Sequence, residues 1–506
     1  MKKMFFGLFL SAFIFLGCSS DDNGGIENPN PNPVTSADFP VQSFMWSAMN
    51  FWYFWQQDVP VLADDRFSTD EEFTNFLATE TDPRQFFFTI CNQHREIVGN
   101  EAAIDRFSFL NQDYTALVSG LAGVSRSNGL EFGLQVIPGS DDVFGYVQYV
   151  LPGSDAAGKD ISRGEFFTHV DGTQLTRDNF GSLLFGDNAN YTLGMADLNN
   201  GSYILNGKEV ALTKIENFVE NPIQVATTLD VNGTKVAYLM YNRFLRSFNN
   251  ELNDAFAQFV ADGATELVLD MRYNPGGSVD TSRLLASMVH STDTDKLYIR
   301  QRWNDKLQPQ FTPQQLEDRF ASSFRMDPSD DNSPLVSVNS LNLNRVFILT
   351  TGSSASASEL VINGLTPYMN ITQIGGTTSG KNEFSITLVD DPEGSFIYDP
   401  DRENLIPANS QWGLQPLVGR NENADGFFDY TDGLAPDITL QEDLTNLGIL
   451  GNPNEPLLAR ALQEINGGVT RRSFNVQIPA HSFTSSRVQT TLKDNMYLDK
   501  PIEMNK

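Results

Sequence analysis

Three short loops of this chain combine glycines with side chains that can serve as a nucleophile or a base. They are residues 270–277 (DMRYNPGG), residues 351–359 (TGSSASASE) and residues 375–381 (GGTTSGK). A glycine pair after a strand leaves backbone N–H groups accessible, as an oxyanion hole requires. A serine at the start of a helix lies beside amides that have no partner within the helix. The loops together indicate catalysis by a serine nucleophile.

No histidine lies in these loops, so the serine needs another base. The four histidines are at positions 94, 169, 290 and 481. Lys381 is the candidate, because it is on a glycine-rich loop that follows a predicted strand. An ammonium group has a pKa near ~10.4 in water and becomes a base at neutral pH only if burial lowers that pKa by roughly 3 units. The sequence therefore predicts a buried Lys381.

The lysine loop has a second interpretation as a phosphate-binding P-loop. Gly375, Gly380 and Lys381 match most of the pattern G-x-x-x-x-G-K-[ST]. Residue 382 is Asn, however, so the hydroxyl that would bind magnesium is missing. Residues 383–390 (EFSITLVD) alternate like a strand where a P-loop needs a helix. These departures argue against nucleotide binding.

Composition excludes several other classes of protein. The 506 residues include 64 Asp and Glu against 34 Lys and Arg, for a net charge of −30, so no nucleic-acid partner is expected. The 40% of apolar residues and the 38 Phe are enough for packed cores. Two cysteines, at 18 and 91, and scattered histidines argue against a metal site. We expect neither a metal nor a cofactor.

Strands and helices alternate around the three loops. Apolar strands are predicted at 234–241, 266–273, 345–350 and 371–376, and helices at 248–263, 279–289, 356–365 and 454–465. This alternation predicts an α/β fold with a largely parallel sheet. Active sites in such folds gather at the carboxyl ends of the strands, which is where the three loops lie.

The loops occur in the order typical of the tail-specific, or C-terminal processing, proteases, which are serine–lysine peptidases. The motifs D-x-R-x-N-x-G-G, S-A-S-E and G-K, and a later segment GLAPDI at 433–438, resemble that family. The resemblance implies a crotonase-like spiral core and selects one of four candidate serines, at 353, 354, 356 and 358. Ser356 would be the nucleophile and Lys381, 25 residues later, the base. Ala357 and either Gly276 or Gly277 would form the oxyanion hole.

The sequence departs from that family at one position and matches it in a second region. Some members carry a Gln four residues after the lysine, where this chain has Ser385. Residues 152–176 resemble part of the PDZ signature, and Phe132, Gly133 and Leu134 lie where PDZ domains keep a glycine-rich loop. Backbone amides there can bind the carboxylate of a peptide that adds a strand. The alternative is a PDZ-shaped spacer that binds nothing.

The first residues resemble a bacterial lipoprotein signal. Two lysines precede a short apolar stretch that ends in Leu-Gly-Cys, so we expect cleavage after residue 17 and lipidation of Cys18. The segment that follows is polar and rich in Asn and Pro, which is typical of an extended tether. We therefore expect a lipid anchor in the outer membrane of a Gram-negative cell, facing the periplasm or the surface.

These patterns divide the chain into six segments. They are a signal peptide (1–17), a tether (18–37), a helical N-terminal domain (38–125), a PDZ-like domain (126–215), a serine–lysine peptidase core (216–465) and a loosely packed C-terminal tail (466–506). The function expected is that of a membrane-anchored endopeptidase acting on protein tails or unfolded chains. The alternative is a catalytically inactive peptide-binding lipoprotein of the same fold. The sequence does not indicate an oligomeric state.

Overall fold

The computed structural model describes residues 35–330, 332–467, 474–480, 483–487 and 495–499. The predicted signal peptide, Cys18 and most of the predicted tether lie outside the described residues. Within the described ranges, no helix is both long enough and apolar enough to cross a membrane.

The N-terminal region is helical and packs on the rest of the molecule through aromatic side chains. Its elements are α1 Pro40–Trp52, α2 Asp70–Leu77, α3 Pro83–Thr89, α4 Arg95–Val98, β1 Phe109–Asn111 and α5 Tyr114–Leu121. Phe44 and Trp52 on α1 are buried in the largest hydrophobic core, which they share with residues beyond 236. Trp52 Nε1 donates to the carbonyl of Ser395 at 2.7 Å. The aromatic run of this region is therefore core.

The middle region is an antiparallel sheet with its own core. It comprises β2 Val124–Ser127, β3 Leu130–Val136, β4 Val143–Val150, β5 Phe166–Val170, β6 Thr173–Gln174, α6 Phe180–Phe185, β7 Asn190–Asn199, β8 Ser202–Thr213 and β9 Ile215–Val219. Strands β3, β4, β5, β7 and β8 follow one another across the sheet, β6 pairs with β5, and β2 pairs with β9. Phe132, Leu134 and Phe167 are among its buried core residues.

A six-stranded sheet positions the three loops of the sequence analysis. Its strands are β10 Ile223–Val231, β11 Thr234–Tyr241, β12 Glu266–Asp270, β18 Arg345–Thr350, β19 Asn370–Gly375 and β23 Ile438–Thr439, in that spatial order and parallel from β11 onward. In the pairing, Asp270 lies opposite Leu349 and Thr350 opposite Gly375. The loops after β12, β18 and β19 therefore leave the sheet at one edge. The predicted α/β alternation of this region is confirmed.

Helices α7 Asn249–Ala261, α8 Val279–Val289, α10 Ala357–Leu365 and α11 Pro456–Ile465 flank this sheet at the predicted places. A second six-stranded sheet has the order β13, β25, β20, β22, β14, β15. These strands are β13 Gly277–Ser278, β14 Leu297–Trp303, β15 Glu317–Arg319, β20 Glu383–Ser385, β22 Leu417–Glu422 and β25 Met496–Tyr497. The remaining elements are α9 Pro313–Leu316, β16 Ser323–Arg325, β17 Leu335–Ser337, β21 Gly413–Gln415 and β24 Thr484–Ser485.

The C-terminal tail differs from its prediction. Described residues of the tail form β24, which pairs with β3, and β25, which lies between β13 and β20. Asn495, Met496 and Tyr497 are buried. The expectation of loose packing is wrong for these residues, because backbone pairing holds them although their side chains carry no apolar pattern.

Candidate active site

Ser356 has an unusual backbone at the start of α10. Its φ of 66° and ψ of −116° lie in a region that residues other than glycine rarely adopt, and such strain costs about 1–3 kcal/mol. Its side chain is fully buried, and Oγ has no hydrogen-bond partner among the described residues. Strained backbone and unpaired buried groups concentrate at functional sites. Both observations single out Ser356 from the four serines of its loop.

Two neighbouring serines hold the serine loop against the loop after β12. Ser354 Oγ donates to the carbonyl of Met271 at 2.8 Å, and Ser358 Oγ donates to the carbonyl of Asn274 at 3.0 Å. The amide of Ala355 also donates to the Asn274 carbonyl, at 3.1 Å. The hydroxyls of Ser354 and Ser358 are thus committed to structure, so neither is the available nucleophile.

One carboxylate joins the serine loop to the lysine loop. Glu359 Oε2 accepts hydrogen bonds from the backbone amides of Ser356, at 2.7 Å, and Lys381, at 2.9 Å. Oε1 accepts from the amide of Gly380 at 2.7 Å and from Thr378 Oγ1 at 2.5 Å. Burial outweighs these hydrogen bonds and raises the pKa of Glu359 to about 7.

The same bonds remove the P-loop interpretation. The amides of Gly380 and Lys381 donate to the side chain of Glu359, so they are not available to bind the phosphate of a ligand. The strand β20, and not a helix, follows the lysine, as its alternating sequence predicted.

Lys381 is fully buried, as predicted, beneath residues from three parts of the chain. Its Nζ donates to Asn495 Oδ1 at 3.3 Å and lies 5.2 Å from the ring centre of Phe107. Ser385 Oγ donates to the same oxygen of Asn495 at 2.8 Å. Arg106 steadies the loop by donating to the carbonyl of Gly380 at 2.5 Å. Ser385, at the position of the absent Gln, thus contacts the lysine site through Asn495.

The structure brings Ser356 and Lys381 to one buried edge but not into a mutual hydrogen bond. Ser356 Oγ has no partner, whereas Lys381 Nζ bonds to Asn495. Catalytic hydrogen bonds in unliganded enzymes are often long and tighten only with substrate, so this arrangement does not exclude a dyad.

The candidate oxyanion donors are not equivalent. The amide of Gly276 donates to Asn274 Oδ1 at 2.9 Å, so it is committed and is not available as the donor that the sequence analysis considered. The amide of Phe244 donates to the carbonyl of Gly276, and the amide of Ser278 donates to the carbonyl of Phe244. Because Gly277 pairs in parallel with Met496, its own amide and carbonyl point to the other side, toward β25. Ala357 is the first residue of α10, where an amide has no acceptor within the helix. Gly277 and Ala357 remain as candidates.

Gly276 instead allows the two loops to touch. Its φ is 111°, and a Cβ placed there would lie 2.6 Å from the Cβ of Ser356. Only glycine permits this approach, because real side chains do not come so close. The sequence identified this glycine correctly as part of the site but not in this role.

A buried charge cluster ties the middle region to the loop after β12. Arg272 donates to Asp270 at 2.7 Å, to Glu455 at 2.7 Å and to Glu442 at 3.0 Å. Arg163, in the middle region, donates to Glu442 at 2.6 Å and to the hydroxyl of Tyr273 at 2.8 Å. Burial opposes ionisation of Glu442, but the two arginines outweigh it and hold the pKa of that carboxyl below its usual range. Sequence reasoning missed this cluster, whose members are far apart along the chain.

The residues predicted to bind a peptide carboxylate lie on β3. The side chains of Phe132 and Leu134 are in the core of the middle sheet, and only their backbone faces the sheet edge. That edge is already paired. The amides of Phe483 and Ser486 each donate at 3.0 Å, to the carbonyls of Leu134 and Phe132 respectively, and Ser485 lies opposite Gly133.

Asn495 is the residue of this site that sequence reasoning missed. It carries no motif and lies in a segment predicted to be loose, more than a hundred residues from the catalytic loops. The only sequence signal was the absence of the family's Gln at position 385, which left a place for another group near Lys381.

Two family profiles match the chain. Peptidase family S41 matches residues 235–416, and the peptidase S41 N-terminal domain matches residues 40–109. The crystal structure of a Bacteroides fragilis protein described as an S41 protease is similar over 84% of this chain and 97% of that chain, with 26% identity and a TM-score of 0.60.

Curated relatives match part of the chain. A Staphylococcus aureus protein named "Probable CtpA-like serine protease" is 26% identical over 206 residues, which is 41% of this chain and 33% of that protein. A "Carboxyl-terminal-processing protease" of Synechocystis is 22% identical over 258 residues, which is 51% of this chain and 50% of that protein. The chain therefore spans only a third to a half of the length of these relatives.

Proposed function

Because profiles of peptidase family S41 match residues 40–109 and 235–416, we propose that the chain is a serine endopeptidase of that family, which cleaves protein tails or unfolded chains through Ser356 and Lys381. The proposal rests on the way in which Glu359 links the backbones of these two residues. Glu359 bonds both backbones while Ser356 keeps a strained conformation and an unpaired hydroxyl. A serine with only a structural role would not require such a strained backbone conformation.

The reaction is acyl transfer in two steps. Ser356 Oγ attacks the carbonyl carbon of the substrate while its proton passes to Lys381 Nζ. The peptide C–N bond breaks, the amine fragment takes the proton from Nζ and leaves, and an ester remains on Ser356. Water then attacks this ester and gives a proton to Nζ. The ester C–O bond breaks, the acyl fragment leaves as a carboxylic acid, and Nζ returns the proton to Ser356 Oγ. The amides of Ala357 and Gly277 are the proposed donors to the oxyanion in both steps.

The burial of Lys381 supports its role as the base. Its side chain has no exposed surface, and a lysine acts as a base near neutral pH only in a buried site. An arginine at this position would remain charged and could not accept a proton near neutral pH.

The catalytically inactive alternative is not favoured. Both Ser356 and Lys381 are present, and Glu359 commits four hydrogen bonds to holding their loops together. We include in the proposal a crotonase-like arrangement of the peptidase core and a PDZ-like role for the middle region. The pairing of β3 with the short extended segment β24 and the link from Arg163 to Tyr273 support a role in delivering peptides to the site.

We further propose that the protein is a lipoprotein anchored through Cys18 to the outer membrane of a Gram-negative cell. Lys2 and Lys3, the short apolar stretch and the Leu-Gly-Cys motif support this proposal. A lipid anchor of several acyl chains would hold the folded part near the membrane through the predicted tether.

The proposed chemistry is tested with a fluorophosphonate, which forms a covalent adduct with activated serines. After prolonged incubation of the full chain, we expect an adduct at Ser356, identified by mass spectrometry of peptides. Lys381→Ala should slow its formation at least a hundredfold, because no base then activates the hydroxyl. An adduct only at other serines, or equal rates in both proteins, would refute the serine–lysine mechanism.

A further inference from the structure

The strand β25 lies in the cleft between the two halves of the proposed catalytic site. On one side it pairs in parallel with β13, where Met496 lies opposite Gly277. On the other side it pairs with β20, where Tyr497 lies opposite Ser385, and the amide of Leu498 donates to the Ser385 carbonyl at 3.0 Å. An extended peptide segment of this chain therefore fills the space between the oxyanion glycine and the strand after the lysine.

The backbone of Asn495 is at the position that a scissile peptide bond must reach. A Cβ built on Gly276 would lie 2.8 Å from the carbonyl oxygen of Asn495 and 2.9 Å from Ser356 Oγ. The amide of Gly277 faces the same strand. The carbonyl of Asn495 thus lies beside the nucleophile and the proposed oxyanion donor, where a substrate carbonyl would bind.

The side chain of Asn495 contacts the base of the proposed dyad. Its Oδ1 accepts the hydrogen bond of Lys381 Nζ at 3.3 Å, while Ser356 Oγ has no partner among the described residues. Ser356 has no exposed surface, so a substrate cannot contact Oγ unless neighbouring residues move. Asn495 therefore contacts the proposed base through its side chain and lies close to the nucleophile through its carbonyl.

The preceding part of the same tail pairs with the middle region. Thr484 and Ser485 extend the sheet beyond β3, antiparallel to it. Arg487 then donates to Glu220 at 2.9 Å and to the carbonyl of Asn242 at 2.7 Å, both near the junction with the peptidase core. One C-terminal stretch thus contacts both surfaces on which an extended peptide would be bound.

We propose that residues 483–487 and 495–499, the tail segment, occupy the peptide-binding path of this chain and keep the enzyme latent. The path consists of the edge of β3 that β24 covers and the gap between β13 and β20 that β25 fills. It accepts an extended peptide through backbone pairing, and the occupant in this structure is the chain's own C-terminal segment. The inference rests on the proposed function, and release of the tail segment is the step that opens Ser356.

The test cuts the full chain after it has folded. A recognition site for a sequence-specific protease is inserted between residues 490 and 491, which separates the two parts of the tail segment. Cutting makes the binding of residues 495–499 bimolecular, so the fragment dissociates on dilution because its effective concentration falls. We expect the rate of fluorophosphonate labelling at Ser356 to rise at least tenfold, and hydrolysis of an unfolded protein to rise in parallel.

The matched control carries the same recognition site in the exposed turn at Asn200–Gly201, between β7 and β8. Cutting there should leave the labelling rate unchanged. A synthetic peptide with the sequence of residues 483–499 should restore slow labelling to the cut protein, and the same peptide with Ala for Asn495 should do so more weakly. Asn495→Ala in the uncut chain should also accelerate labelling, without requiring removal of the tail.

Two results would overturn the proposal. One is rapid labelling of the uncut chain that cutting does not change. The other is loss of labelling in a cut protein that keeps its circular dichroism spectrum, since the tail would then complete the site. Calorimetry of the cut protein with the tail peptide separates this inference from the proposed function. Suppose that the peptide binds but that neither the cut nor the uncut protein shows labelling or hydrolysis. The tail segment then occupies the path, and the peptidase assignment is wrong.

Discussion

The backbone amides of Ser356 and Lys381 donate to the same atom, Oε2 of Glu359, at 2.7 and 2.9 Å. The nucleophile and the base come from different loops, after β18 and β19, and this shared acceptor fixes the distance between their backbones. The side chain of Lys381 donates from Nζ to a third segment, at Asn495 Oδ1. The two loops of the dyad are thus joined through their backbones, while the tail contacts the side chain of the base.

Ser356→Ala and Lys381→Ala should each abolish hydrolysis of an unfolded protein substrate. The first removes the nucleophile and the second removes the base, and neither adds volume to the core. Lys381→Arg should be inactive as well, since a guanidinium remains protonated near neutral pH. Fragment release is followed by gel electrophoresis, with circular dichroism as the control for folding. Full activity in either alanine variant would refute the assignment.

Glu359→Gln should lower kcat about a hundredfold with little change in KM. The amide NH₂ of Gln would face backbone N–H donors, so one loop would shift relative to the other, and misplacement of about 1 Å can cost about 10²-fold in rate. The matched control is Glu266→Gln, which breaks an exposed ion pair with Arg345 at the opposite end of β12 and should leave kcat unchanged. A similar loss in both variants would contradict a specific role for Glu359.

Glu359 should also make stability depend on pH. Burial raises its pKa from the ordinary 4.5 to about 7 in the folded protein. Between those two pH values the unfolded chain has lost the proton that the folded chain keeps, so stability falls as pH rises from 4.5 through 7. At 1.36 kcal/mol per pKa unit the loss is about 3 kcal/mol. Urea unfolding at pH 4.5 and pH 8 should show this extra loss in the native protein relative to Glu359→Gln, and equal pH dependence in the two proteins would contradict it.

Gly276→Ala should impair both stability and activity. Its Cβ would lie 2.6 Å from the Cβ of Ser356 at a φ of 111°, so the serine loop must shift. We expect a loss of about 1–3 kcal/mol in the free energy of unfolding and of most activity. The control is Gly263→Ala, where φ is 74° and no heavy atom lies within 4 Å, so it should cost about 1–2 kcal/mol without affecting kcat. Equal activity in the two variants would show that Gly276 does not hold the serine.

Peptides with a free C-terminus should bind the middle region more tightly than their amidated counterparts. A ligand must replace Thr484 and Ser485 along β3, so binding to the full chain should be weak and should strengthen when the tail is released. Isothermal titration calorimetry measures both comparisons. Equal affinities for free and amidated peptides would leave the middle region as a spacer.

Cys18→Ser should move the protein from the membrane to the soluble fraction or block its maturation. Without the thiol no acyl chain can be attached, and the remaining chain has no described helix able to span a bilayer. Fractionation of cells followed by immunoblotting gives the location and the apparent mass. Membrane association with an unchanged mass would refute the lipid anchor.

The chemical groups of the site could be identified from the sequence because each lies within a short local pattern. Loops of glycine and serine that follow apolar strands place Ser356, Gly276 and Lys381 at the carboxyl edge of a parallel sheet, whatever the details of packing. The strands at 234–241 and 345–350 have the predicted bounds for the same reason, since apolar runs bounded by turn residues define them locally.

Tertiary structure alone decided which groups those residues contact. The Gly276 amide is taken by Asn274, a detail of loop geometry that its glycine pair does not encode. Glu359 is in the first turn of α10, where its side chain bonds the backbones of two loops, a role that its position in the sequence does not indicate. The tail was expected to be loose because it has no apolar period. Strand pairing uses backbone groups that every residue carries, so the position of Asn495 beside Lys381 follows from the cleft that the fold leaves open and not from any pattern in the tail.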